Sequence, residues 1–233
     1  TASLNQLLLV NDSCYGPFSN LTPLFEEIDS IDADVVSLTD GWFGGYHLQS
    51  NFMLLKNEAL NNSALETFFE RYGFPVLKSS IVREGEIGFS KALLASGYKL
   101  QALFSYESAT KMFISDHQEE LRFSAEAENT NYLHNQRNHQ NNWFRIISDQ
   151  ITLGTPLNTT HAFWHVLIKL GFPFVKKDLI LKNPTGVPNL AIFEELIRSK
   201  FGFNDFGNIR SDIRLRGEVA VHLDSSSQIP QDD

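Results

Sequence analysis

The sequence holds one cysteine, two methionines and three tryptophans among 233 residues, and its 19 Lys and Arg are outnumbered by 28 Asp and Glu. With Cys14 alone, no disulfide forms within the chain, which fits a reducing compartment. No partner stands beside Cys14 to activate it, so it reads as a small packed residue rather than a nucleophile. The net charge of −9 opposes non-specific nucleic-acid binding, because the phosphate attraction has the wrong sign. No nucleic-acid partner is expected. No run approaches the roughly 18 apolar residues of a membrane span, so no transmembrane segment is expected either. No basic-plus-apolar leader opens the chain, and Thr1 rather than Met stands first, as in a cut N-terminus or part of a longer polypeptide.

What is present is an ordinary globular composition, with 42% hydrophobic and 12% aromatic residues, enough to fill one large core or two small ones. The first hundred residues alternate between strands and helices. Apolar runs and helical spacing predict strands at 7–10, 35–38, 51–55 and 98–104, and helices at 21–28, 57–71 and 87–96. Gly73 and Gly97 read as helix stops. Such alternation implies a layered α/β domain. Residues 105–150 are polar, as in "NTNYLHNQRNHQNNWFRI", and read as helices or long loops draped on the domain, solvated and flexible; His134 and His139, five apart, are poorly spaced as ligands on one helix face. Further on, Thr159 or Thr160 caps a helix over 161–170 that Gly171 and Pro173 end, and "NLAIFEELIRSKFG" forms another. The final "DSSSQIPQDD" is too polar to fold.

Three stretches raise chemistry. In "LLLVNDSCYGPFS" a run with the pattern of a strand buried on both faces passes straight into Asn11-Asp12-Ser13. Asp12 there is either a carboxylate projected at a strand's carboxyl end, where α/β proteins bind ligands, or the pivot of an Asx turn. In "YHLQSNFMLLKNEAL" polar His47, Gln49 and Ser50 lead into a strand, and in "GEIGFSKALLASGYKL" Glu84 and Glu86 flank Gly85 at a helix start. Capping of the helix's positive end also explains that acidic pair.

Taken in order, "LLLVNDSCYGPF", "LTDGWFGGYHLQSNFMLLKNEAL", "GEIGFSKALLASGYKL" and "HAFWHVLIKLGFPFVKKDLILKNPTG" resemble the rhamnan synthesis protein F family, glycosyltransferase-like proteins of bacterial surface polysaccharide synthesis. More loosely, the chain is similar to glycosyltransferases of the GT-A fold. The resemblance spans most of residues 4–188. It implies an α/β, GT-A-like mixed sheet flanked by helices: a core over 1–104, a polar connecting segment over 105–155, a helical C-terminal part over 156–217 and a disordered tail over 218–233. It sets Asp12 at the place of an Asp-x-Asp motif, as a ligand of Mg²⁺ or Mn²⁺ with His161 assisting, and Glu86 as the general base with Glu84 as the fallback. His161 reads alternatively as a helix-start residue packed beside Trp164, and His165 one turn on shares its face. Asn11, Ser13, Trp42, Tyr46, His47, Gln49 and Ser50 are the implied substrate contacts, with Gln49 on a sugar hydroxyl.

The resemblance implies an inverting transfer from a nucleotide sugar, dTDP-rhamnose, to a growing glycan acceptor, lipid-linked acceptors included. The implied location is the cytoplasm, with a peripheral position at the inner membrane as its alternative. Asn11 stands where a stricter motif carries a second carboxylate, and family members carry an upstream nucleotide-holding segment. The donor pocket is therefore expected to be incomplete in these residues, with an open strand edge. A second class is a non-catalytic glycan-binding or scaffolding domain, in which Trp42, Phe43 and Tyr46 beside Gly44-Gly45 stack on sugar rings. A metal-dependent hydrolase lacks the clustered ligand spacing it would need.

Overall fold

In the computed structural model, which describes residues 5–60, 63–124, 131–188 and 190–225, the chain builds a mixed five-stranded sheet flanked by helices, followed by a mostly helical C-terminal part. The elements run β1 (Gln6–Val10), β2 (Cys14–Tyr15), α1 (Thr22–Ser30), β3 (Val35–Gly41), β4 (His47–Leu48), β5 (Phe52–Lys56), α2 (Asn57–Leu60), α3 (Ser63–Arg71) and α4 (Lys78–Ser80). A π-helical turn, Ile81–Ile87, then leads into α5 (Gly88–Ala95) and β6 (Leu100–Phe104). The rest is α6 (Tyr106–Ser124), α7 (Asn131–Thr152), α8 (Thr159–Ala162), α9 (Trp164–Leu170), β7 (Val175–Lys176), α10 (Lys177–Lys182), α11 (Phe193–Phe201) and α12 (Gly207–Ser225).

β5 lies antiparallel between β1 and β3, β6 runs parallel to β3, and β4 pairs with the last two residues of β3. β1, β3 and β6 therefore point the same way. Their carboxyl ends and the start of β5 meet on one edge of the sheet. All seven residues of β3 are buried, as befits a central strand. β1 departs from the reading of its apolar run: it is an edge strand of alternating exposure, with Leu7 and Leu9 against the core and Leu8 and Val10 36% and 57% exposed. Among the described residues β1 pairs with β5 alone, which leaves its other edge open.

One core joins sheet and helices, with Val36, Leu38, Phe52 and Leu54 of the sheet packed among Phe113, Ile147, Phe163 and Leu167. This corrects the solvated reading of 105–150, because α6 and α7 insert fully buried side chains despite their polar average. His134 and His139 lie outside the residues whose side chains are described. The helix expected over 57–71 is helical at Asn57–Leu60 and Ser63–Arg71, the described residues of that stretch. That over 161–170 is broken at Phe163, and its cap is Asn158, whose side chain accepts from the Thr160 N–H at 3.1 Å, in place of Thr159 or Thr160. Gly97 and Gly171 do take the left-handed conformation that stops a helix. α12 extends to Ser225, into the stretch expected to be a disordered tail; residues 226–233 lie outside the described residues.

Candidate functional site

The sheet's carboxyl edge opens with the Asn11-Asp12-Ser13 turn. Asn11, not Asp12, makes the Asx turn: its Oδ1 accepts from the Ser13 N–H at 3.1 Å, while its Nδ2 donates to the Ser50 carbonyl at 3.2 Å. Asp12 is released from backbone duty. Its carboxylate is fully exposed, 3.9 Å from Lys177 Nζ.

Across the edge the hairpin strand that continues β4 into β5 is interrupted at Gln49–Asn51. Buried hydroxyls hold this irregular stretch: Ser37 Oγ donates to the Gln49 backbone carbonyl at 2.6 Å, and Thr39 Oγ1 donates to the Gln49 side-chain Oε1 at 2.7 Å. The interruption turns the Ser50 backbone outward, where its N–H donates to Glu86 Oε1 at 2.5 Å. Glu86 is half-buried on the π-helical turn and lines a cavity of about 210 Å³ walled by Leu9, Met53, Phe68, Phe69 and Phe89. The acidic pair does not stand at the helix start as expected, because the helical stretch begins at Lys78 and the π turn lies inside it. Such turns re-aim side chains and recur at functional sites. Glu84 projects elsewhere, paired with Arg83 at 2.8 Å on the surface.

The third wall is Lys176-Lys177-Asp178, which lies within the last of the four resembling stretches and carries no expected site residue. β2 pairs antiparallel with β7, setting Cys14 opposite Lys176, and the Lys177 N–H donates to the Ser13 carbonyl at 2.9 Å. Gly16, at φ +123°, permits this approach: a Cβ there would lie 2.5 Å from the Pro173 carbonyl oxygen. Lys176 Nζ donates to Ser13 Oγ at 2.9 Å, and Lys177 Nζ sits 5.6 Å above the Tyr15 ring. Asp178 takes Lys78 Nζ at 3.0 Å and His161 Nε2 at 3.1 Å. The His161 hydrogen bond, joined by Lys78, holds the Asp178 carboxyl well below its ordinary range. Lys78 also ties the segment carrying Glu86 to the segment carrying the two lysines.

The expected metal ligands do not form a donor set. Asp12 is a single exposed carboxylate beside an ammonium, His161 is buried with Nε2 on Asp178, and Asn11 is spent on Ser13 and Ser50. Among the described residues no group of three or more His, Cys, Asp or Glu is placed to hold a metal ion. His165 does not join His161 as a ligand pair, since the break at Phe163 leaves it among the rings of Phe113, Phe144 and Trp164.

Several expected contacts face inward. Gln49 is buried with its amide oxygen on Thr39, the Tyr46 hydroxyl donates to the Leu100 carbonyl at 3.4 Å, and His47 is buried with Nδ1 2.9 Å from the Gly45 carbonyl. They shape the edge rather than line its open side. Burial raises the Tyr46 phenol to about 12. Trp42, half exposed and 5.2 Å from the Tyr46 ring, and Phe43, 73% exposed, do reach solvent. Asp40, which no motif marks, lies one residue before the end of the buried strand β3. Its Oδ1 accepts from the Tyr106 N–H at 2.5 Å, at the start of α6, and its carbonyl accepts from Thr159 Oγ1 at 2.5 Å. Burial raises its carboxyl above the ordinary value. Asp40 therefore locks β3 to α6 and α8.

No family model matches the chain, and no solved structure does. Two forms of a Vibrio anguillarum protein, the virulence protein VirA, are each 27% identical to it over 205 residues, 87% of this chain. The chain spans 60% of the length of these relatives. Among the described residues no helix is long and apolar enough to cross a membrane.

Proposed function

We propose that the chain carries the acceptor-side and base-bearing part of a glycosyltransferase that moves a sugar, rhamnose by resemblance, from a nucleotide sugar to a bacterial surface glycan. One observation carries the reading: the hydrogen-bonded path Asn11–Ser50–Glu86 joins the motif after β1 to a carboxylate on a π turn, across one sheet edge. The likeness to a virulence protein names no reaction, so the chemistry is argued from the site. An acceptor hydroxyl attacks the anomeric carbon and yields its proton to Glu86, while the bond from that carbon to the diphosphate breaks and its electron pair leaves on the diphosphate oxygen. A single displacement of this kind inverts the anomeric centre. The Ser50 N–H fixes Oε1 of Glu86, which leaves Oε2 for the proton. No step is routed through a divalent cation, because the expected ligands do not assemble.

The test is donor turnover. Wild-type protein given dTDP-rhamnose and a rhamnose-terminated acceptor should release dTDP and extend the glycan, and Glu86→Gln should not. Equal turnover by both would refute the assignment of Glu86.

A second reading, a glycan-binding domain without turnover, rests on the exposed Trp42 and Phe43 at the same edge. Glycan binding lost in Trp42→Ala, with no dTDP released from any donor, would favour it.

A further inference from the structure

We propose that Lys176 and Lys177, with the Ser13 hydroxyl, form a cationic cradle for a diphosphate, meeting the charge of the leaving group where a divalent cation was expected. The inference rests on the glycosyl-transfer reading and deepens it.

Lys176 carries the argument. It is half-buried, its ammonium donates to the neutral Ser13 Oγ, and among the described residues it pairs with no carboxylate. A partly desolvated charge opposite a neutral hydroxyl is stabilised by an incoming anion. Lys177 adds a second ammonium; its contact with the fully exposed Asp12, at 3.9 Å, is long, and Asp212 acts on it through space, so that an anion can replace the Asp12 contact. Backbone pairing sets both lysines. β2–β7 register holds Lys176 opposite Cys14, and the Lys177 N–H is bonded to the Ser13 carbonyl. The cradle thus sits on the turn whose first residue, Asn11, is linked through Ser50 to Glu86.

The chemistry balances without a further reactant. As the anomeric C–O bond to the diphosphate breaks, its electron pair becomes an added negative charge on the terminal phosphate, opposite two ammonium groups. The acceptor oxygen forms the new bond and its proton goes to Glu86. In this arrangement Asp12 repels the donor, the reverse of its part in a metal site.

Calorimetry on the 233-residue chain with inorganic pyrophosphate, dTDP and geranyl diphosphate, each in EDTA and in Mg²⁺, tests the cradle. Binding of pyrophosphate and dTDP is expected in EDTA, weakened at least tenfold in Lys176→Met and in Lys177→Met, partly restored in Lys176→Arg, and strengthened in Asp12→Asn. Melting curves establish that each variant is folded, and Lys176→Arg with Lys177→Met suffices should Lys176→Met not fold. The proposal is overturned if no diphosphate binds, or if binding needs Mg²⁺, is lost in Asp12→Asn and ignores the lysines. Tighter binding of geranyl diphosphate than of dTDP would overturn the leaving-group assignment and give the cradle to a lipid-linked acceptor. Diphosphate bound by the lysines without turnover of any nucleotide sugar would uphold the cradle and refute glycosyl transfer.

Discussion

Glu86 and His165 show how differently one environment after another treats an ionisable side chain. In Glu86→Gln the new Oε1 still accepts from the Ser50 N–H, so the edge keeps its shape while the proton acceptor is gone. We expect kcat to fall about 10²–10⁴-fold with donor KM nearly unchanged, read from initial rates of dTDP release. A parallel rise in KM would mean that Glu86 holds the edge together. His165 is a stability matter. Burial among Phe113, Phe144 and Trp164, with Lys169 nearby, lowers its imidazole to about 4, against which Asp116 acts weakly. A base depressed on folding contributes stability that is whole above its unfolded value near 6.5 and is lost as pH falls towards 4, up to roughly 3 kcal/mol. His165→Phe should therefore flatten the decline of melting temperature between pH 7 and pH 4.5. Parallel declines in wild type and variant would contradict the neutral imidazole.

Two elements depart from regular geometry, and each has a use or a cost. The π turn Ile81–Ile87 carries Glu86 to the Ser50 N–H. Deleting Gly85 to restore α-helical winding would swing one residue position by about 100° around the axis, away from Ser50. Circular dichroism should stay close to wild type while dTDP release disappears; retained activity would show that the turn is incidental. Among the described residues β1 pairs on one edge only, and its Leu8 and Val10 side chains are exposed. Such an edge is a template for pairing with another chain. Val10→Lys should lower concentration-dependent association in light scattering without altering the melting curve, and unchanged association would place the sticky surface elsewhere.

At the scale of the molecule, one of three buried clusters joins the sheet to the helical part. Phe113 of α6 touches the rings of Phe144 from α7 and Phe163 between α8 and α9, in the cluster that also holds Phe52 and Phe104 of the sheet. Phe113→Ala should cost about 3–5 kcal/mol. Because this cluster joins sheet and helices, tryptophan fluorescence, reporting Trp42, Trp143 and Trp164, and far-UV dichroism should move to lower temperature together. Separate transitions for the two signals would argue for independent domains. The same packing closes the site, since Lys78–Asp178–His161 draws α4, α10 and α8 to the edge built by β1, β3 and β5.

The sequence by itself determined the elements whose signals are local. Apolar runs predicted β3, β5 and β6, helix stops predicted Gly97 and Gly171, and the polar triplet after β1 was correctly set at a strand's end. Residue pattern also marked Glu86, Ser50 and Asn11, which the fold joins by hydrogen bonds. What it could not determine depends on partners far along the chain. A run such as Leu7–Val10 reads alike at the edge or the centre of a sheet, because only the neighbours decide which face is covered. Gln49 and His47 look like surface polar residues until Thr39 and the Gly45 carbonyl claim them. Lys176 and Ser13, 163 residues apart, are brought together by two-residue strands whose pairing no short-range signal announces. Only tertiary structure set Asp178 beside His161, since a buried imidazole bonds to the nearest group that folding leaves beside it.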